Sequence, residues 1–251
     1  MNSLRPRARL TAGLQPRAFS LEPADRLIVA LDFTDAASAL GMAKRLRGLV
    51  RTVKVGSALF TACGPAVIQR VRSLGFDVML DLKFLDIPST VELSCRAAVH
   101  HEVSLLTVHA AGGRAMLAAA AHGARVEAAR LRVKRPRVLA VTILTSVSSA
   151  RASRMSAHVL ALARGALLAG CDGVVASAQE ASALRKAFGR RLQIVCPGIR
   201  PLGVRSDDQR RVVSPREALT RGADRLVIGR PITAAPHPRA AVSRILTEME
   251  G

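Results

Sequence analysis

Eight short, β-branched apolar runs recur along the chain, each followed by an Ala/Leu/Arg-rich stretch of helical period. The runs are 27–31, 52–55, 78–80, 105–108, 138–143, 173–176, 193–196 and 225–228. Helices are expected between them near 35–48, 64–74, 89–101, 113–129, 155–169, 179–187 and 214–221, with a last one near 238–249. Eight strand–helix units with no internal linker is the count of an α/β chain closed into a single (β/α)8 TIM barrel. At 251 residues the chain has the length such a barrel needs. The competing architecture is a doubly wound open sheet. No GxGxxG follows the first strand, so a dinucleotide site has no support. The catalytic domain is expected over 25–251. Residues 1–24 carry Arg5, Arg7, Arg9 and Arg17 and no acid before Glu22. They read as a disordered basic tail, with an Arg-rich transit peptide as the alternative.

Composition narrows the function classes. Apolar residues make up 49% of the chain, enough for a large core. With no Trp, no Tyr and six Phe, Leu, Val, Ile and Ala must fill it. A formal net charge of +20 invites a nucleic-acid partner, because clustered cations neutralise phosphates. The arginines are scattered, however, and few aromatics exist to stack on bases. The one biased interval, 128–171, holds no acid and eight basic residues. It reads as a solvated basic face, with at most nonspecific nucleic-acid binding. Cys63, Cys95, Cys171 and Cys196 lie far apart, with no CxxC and no His at metal-ligand spacing. They are expected to be core residues of a protein kept in a reducing compartment. No apolar run approaches the roughly 20 residues of a membrane span.

In a (β/α)8 barrel, chemistry gathers at the C-terminal ends of the strands. The polar residues there are Asp32, Lys54, Asp81 and Lys83, His109, Thr145 and Ser146, Arg200, and Gly229-Arg230. The segment Asp81-Leu82-Lys83-Phe84-Leu85-Asp86-Ile87-Pro88-Ser89-Thr90 stands out, with a lysine between two carboxylates. Of the 38 Lys and Arg residues only five are Lys. A Lys, unlike an Arg, can surrender a proton. The plain alternative is an ion pair at a strand end. The turn-rich Pro197-Gly198-Ile199-Arg200-Pro201 and Gly229-Arg230-Pro231 follow strands seven and eight, where barrels often hold phosphate. Each pairs a Gly, which permits close backbone approach, with an Arg suited to charge-assisted hydrogen bonds.

Together these segments resemble the orotidine 5′-phosphate decarboxylase family in its bacterial form, over about 27–231. The resemblance rests on VALDF (29–33), KVGSALF (54–60), DLKFLDIPST (81–90), TVHAAGG (107–113), AVTILTS (140–146), DGVVASAQEA (172–181), PGIRP (197–201), DDQRR (207–211) and VIGRPIT (227–233). It implies decarboxylation of orotidine monophosphate (OMP) to UMP, in the cytoplasm, with no metal and no cofactor. Asp32 would hold the ribose, and Lys54 would bridge ribose and Asp81. Asp81 would face the departing carboxylate, and Lys83 would protonate C6. The family's site lies at a homodimer interface, so Asp86, Ile87 and Thr90 would reach the partner's site, with Pro88 also at the substrate. Asp86 thereby completes a catalytic Lys54–Asp81–Lys83–Asp86 array. Thr145 and Ser146 would contact the base. Arg200, Gln209, Gly229 and Arg230 would bind the phosphate end.

Two features depart from the family pattern: Ser89 stands where Asn is usual, and the stretch between His122 and Arg137 is short and basic. Neither touches an expected catalytic position. The nearest rival is a sister activity on the same barrel, a 3-keto-gulonate-phosphate decarboxylase or hexulose-phosphate synthase, which uses Mg²⁺. PGIRP, DDQRR and GRP, with the full DIPxT extension, favour the nucleotide enzyme. A rival of another class is a basic nucleic-acid-binding protein on an inactive barrel.

Overall fold

The computed structural model describes residues 21–144, 152–201 and 213–251. Eight parallel strands close into a barrel in sequence order: β1 (Leu27–Ala30), β2 (Thr52–Gly56), β3 (Asp77–Phe84), β4 (Leu105–His109), β5 (Arg137–Val141), β6 (Gly173–Val175), β7 (Gln193–Cys196) and β8 (Arg225–Ile228). β8 pairs back onto β1 through Leu27↔Leu226 and Val29↔Ile228. Closure leaves no sheet edge, and it settles the choice against an open doubly wound sheet.

Strand parity sorts the apolar residues into two cores. Ile28, Ala30, Met79, Leu105, Leu139, Val141, Val175, Val195 and Val227 fill the barrel interior. Their neighbours along each strand, such as Leu27, Val29, Val53, Val78 and Leu80, face outward into a larger core shared with the helices. Both faces of every strand are thus buried, which is why the runs read as continuous rather than alternating. The same parity places function. Two residues beyond inward-facing Ala30 and Met79 come Asp32 and Asp81, one layer above the apolar plug. The register Ala30↔Lys54↔Met79 sets Lys54 beside them.

The opposite end of the barrel is tied by a repeated device. Asp172, just before β6, accepts from the amide of Val138 at 2.8 Å and is held by Arg135. Asp224, just before β8, accepts from the amide of Ile194 at 2.7 Å and is held by Arg185. Arg26 donates to the carbonyls of Ala223 and Asp224, so the short helix Pro23–Arg26 is anchored at the same end. That helix begins two residues before the expected domain start at 25, and residues 1–20 lie outside the described part.

Most elements fall within a few residues of their expected positions. The largest difference is β3, expected to end at Leu80 but running to Phe84. Charged Asp81 and Lys83 read as strand terminators, yet the strand keeps pairing with β4 after a register shift between Leu80 and Phe84. Three short helices, Pro23–Arg26, Ser57–Cys63 and Arg230–Thr233, carry too little periodicity to be seen in the sequence. Cys95, Cys171 and Cys196 are core residues, as expected, whereas Cys63 is only half-buried. Burial pushes the Cys95 and Cys171 thiols up to about 12. No described helix is long and apolar enough to cross a membrane.

Candidate active site

A cavity of about 310 Å³ opens above the barrel plug. Its polar wall carries Asp32, Lys54, Asp81, Lys83, Arg200 and Arg230, with Gly229 beside them. Seven of the fourteen residues expected at the site therefore line one pocket, drawn from five separate strand ends. The volume lies in the range of small-molecule sites, about 300–1,000 Å³.

The charged centre is a short relay. Lys54 Nζ lies 2.8 Å from Asp32 Oδ1 and 3.7 Å from Asp81 Oδ2. Lys83 Nζ lies 2.8 Å from that same Asp81 oxygen. The order Asp32–Lys54–Asp81–Lys83 thus alternates in sign across β1, β2 and β3. Lys54 and Asp81 are buried, at 9% and 8% exposure, so their charges are balanced by the ion pairs of the relay more than by water. A buried carboxylate needs further hydrogen bonds to be tolerated. Thr107 of β4 supplies one, donating to Asp81 Oδ1 at 2.9 Å.

Two backbone features permit this crowding. Gly56 pairs with Asp81 across the ladder, and a Cβ on it would stand 2.7 Å from Lys54 Nζ. Only glycine leaves room for the ammonium there. Lys83 has a left-handed backbone (φ +51°), an uncommon conformation for a side chain of this size. Its amide donates to Thr107 Oγ1 at 2.9 Å.

The remaining expected residues sort clearly. Asp86, Ile87, Pro88 and Thr90 are exposed at the rim beyond β3 and do not line this chain's cavity. Asp86 accepts from the amide of Ile87 at 2.6 Å and forms no ion pair with Lys54 or Lys83 of its own chain. The triplet that stands out in sequence therefore splits in space: Lys83 pairs with Asp81 alone. Thr145, Ser146 and Gln209 lie outside the described residues. His109 ends β4 as expected but stays off the cavity wall. Burial, then the neighbouring Lys83 charge, holds its imidazole below the usual histidine range.

Several site residues escaped the sequence reading. Met79, Val141, Val175 and Val227 form the apolar floor of the cavity, with Ile143 and Leu144 on its side. Thr107 sits inside an apolar run and Gly56 directly follows one, and nothing in the spacing marks either as serving a charged group. Among the described residues no group of three or more His, Cys, Asp or Glu could hold a metal ion.

Residues 25–245 match the family described as Orotidine 5'-phosphate decarboxylase / HUMPS family. The chain is 49% identical over 234 residues to an orotidine 5'-phosphate decarboxylase of Moorella thermoacetica, covering 90% of this chain and 92% of that protein. It is 44% identical over 230 residues to the enzyme of that name from Nitrosococcus oceani, covering 89% and 97%. The crystal structure of orotidine 5'-phosphate decarboxylase from Lactobacillus acidophilus superposes with a TM-score of 0.78 at 34% identity, over 90% of this chain and 100% of that one. Sequence, barrel topology and the composition of the pocket converge: the chain belongs to the orotidine 5'-phosphate decarboxylase / HUMPS family.

Proposed function

We propose that the protein is a cytoplasmic orotidine 5′-phosphate decarboxylase, converting OMP to UMP and CO₂ in pyrimidine biosynthesis without metal or cofactor. The observation that carries this reading is the placement of two ammonium groups on one carboxylate oxygen at the cavity wall: Lys83 Nζ at 2.8 Å and Lys54 Nζ at 3.7 Å from Asp81 Oδ2.

Loss of CO₂ from C6 leaves a pyrimidine carbanion that no adjacent group delocalises well. A fixed ammonium aimed at that carbon stabilises the charge as it forms and then delivers the proton. Because the ammonium is positioned in advance, its effect is larger at the transition state than in the ground state. Lys83 takes this role, and its ion pair with Asp81 fixes its direction. Asp81 faces the departing carboxylate, Lys54 holds Asp81 and the ribose, and Asp32 anchors the ribose. The apolar floor of Met79, Val141, Val175 and Val227 excludes water from beneath the base. Arg200, Gly229 and Arg230 bind the phosphate, and its binding energy holds the base against Lys83. Thr145, Ser146 and Gln209 complete the base and phosphate contacts.

The homodimer belongs to the same proposal. Leu85, Ile87 and Leu93 are 55%, 64% and 64% exposed around Asp86. A second copy covering these side chains would carry Asp86 to its neighbour's Lys83 and complete the Lys–Asp–Lys–Asp array, with Ile87, Pro88 and Thr90 alongside. Metal-free chemistry fits the donor set: the carboxylates a divalent cation would need, Asp32 and Asp81, are each engaged by a lysine at 2.8 Å.

The test is the absorbance change of OMP mixed with enzyme in excess EDTA. Full turnover is expected. Turnover that stops in EDTA and returns with Mg²⁺ would instead place the protein with the metal-dependent sugar-phosphate enzymes of this barrel.

A further inference from the structure

β3 and β4 pair normally at Leu80↔Leu106 and again at Phe84↔Val108. Between those points three residues of β3, Asp81, Leu82 and Lys83, face a single residue of β4, Thr107. Such a bulge strands backbone donors and redirects side chains. Thr107 repairs this one with its hydroxyl. Its Oγ1 accepts the Lys83 amide at 2.9 Å, and its proton goes to Asp81 Oδ1 at 2.9 Å. Thr107 is fully buried, so no water competes for either bond.

We infer that Thr107 is the positioning residue of this site, setting both the left-handed backbone of Lys83 and the rotation of the Asp81 carboxylate. The two bonds act together. Holding Oδ1 on Thr107 leaves Oδ2 as the oxygen that receives Lys83 at 2.8 Å and Lys54 at 3.7 Å. Holding the Lys83 amide keeps φ at +51°, a conformation that is unfavourable unless its surroundings fix it. With the hydroxyl gone, Asp81 can turn and the bulge can relax, and the Lys83 ammonium loses its aim. The inference rests on the proposed decarboxylase for its kinetic consequence, but its geometric consequence stands independently.

Thr107→Val removes the hydroxyl while keeping the β-branched shape. An ångström-scale misplacement of a reacting group lowers turnover by about 10²-fold. The expected result is therefore a kcat reduced about 10²-fold with KM and UMP affinity within a few-fold of wild type. Thr107→Ser should recover most of the rate. A crystal structure of the Val variant should show Lys83 drawn away from Asp81 Oδ2 or its φ shifted out of the left-handed region. Wild-type kcat in the Val variant would overturn the inference, as would equal loss in the Val and Ser variants, which would make the role purely steric. If the Val variant fails to fold, Thr107→Ala, which adds no bulk, carries the same expectations. If wild-type enzyme does not turn over OMP, only the functional reading fails. The Lys83–Asp81 geometry in the variant crystal then decides the inference, and an unchanged ion pair and φ would refute it.

Discussion

Gly56→Ala separates what this site needs for folding from what it needs for catalysis. Gly56 adopts φ −95° and ψ 179°, which alanine accepts without strain. An added Cβ would stand 2.7 Å from Lys54 Nζ and 3.2 Å from Asp32 Oδ1, where ordinary contact begins near 3.4 Å. The ammonium must therefore retreat by about 0.7 Å. That movement is cheap for the fold, because Nζ is the far end of a flexible side chain. Reduced freedom of the unfolded chain even favours alanine by about 0.4–1 kcal/mol. The proposed catalytic relay is less forgiving. Lys54 spans 2.8 Å to Asp32 and 3.7 Å to Asp81, and a shift near 1 Å can lower the rate by about 10²-fold. The expected phenotype is a melting temperature close to wild type with kcat/KM reduced by one to two orders of magnitude in the OMP absorbance assay. A double-mutant cycle locates the cause: in a Lys54→Met background the added Cβ meets no ammonium, so Gly56→Ala should cost little more. Wild-type kcat/KM in the single variant, or a full additive loss in the double, would show that Gly56 does not set the position of the Lys54 ammonium.

Mixing Lys83→Ala and Asp86→Ala proteins should restore activity, because heterodimers regenerate one intact site from the two subunits; random mixing gives about a quarter of wild-type activity. No recovery with heterodimers demonstrated would place each site within one chain. Arg230→Ala should weaken substrate binding by about 10- to 100-fold, the value of a hydrogen bond to a charged group, and an unchanged KM would remove Arg230 from the phosphate site. Gly173→Ala should leave the site intact but destabilise the barrel. Its Cβ would collide with the carbonyl oxygen of Gln193 and come within 2.7 Å of Gln193 Cβ on the adjacent strand. Overpacking of this kind costs about 1–3 kcal/mol, so the melting temperature should fall by several degrees; an unchanged melting transition would contradict the packing.

The barrel was legible because a closed parallel sheet buries both faces of every strand, so each of the eight strands leaves a short apolar run. Asp32, Lys54, Arg200 and Arg230 were legible for the complementary reason: each interrupts apolar sequence at the same point in the repeat. β3 was misjudged because its charges belong to the strand interior, a placement made possible by the bulge opposite Thr107. Thr107 and Gly56 were invisible for a related reason. A buried threonine reads as a β-former, and a glycine after a strand reads as a turn, so neither advertises the ammonium or carboxylate it serves. Asp86 stands out by its spacing from Lys83, yet this chain leaves it exposed at the rim and bonded to the Ile87 amide, because the register shift in β3 turns only Asp81 and Lys83 toward the cavity.

In the proposed mechanism the Lys83 ammonium protonates C6. Single-turnover decarboxylation of OMP by the Lys83→Ala variant, with UMP affinity and melting temperature measured on the same protein, tests this role most directly. A folded variant that still binds UMP and shows no detectable decarboxylation is expected. A rate near that of wild type would contradict it.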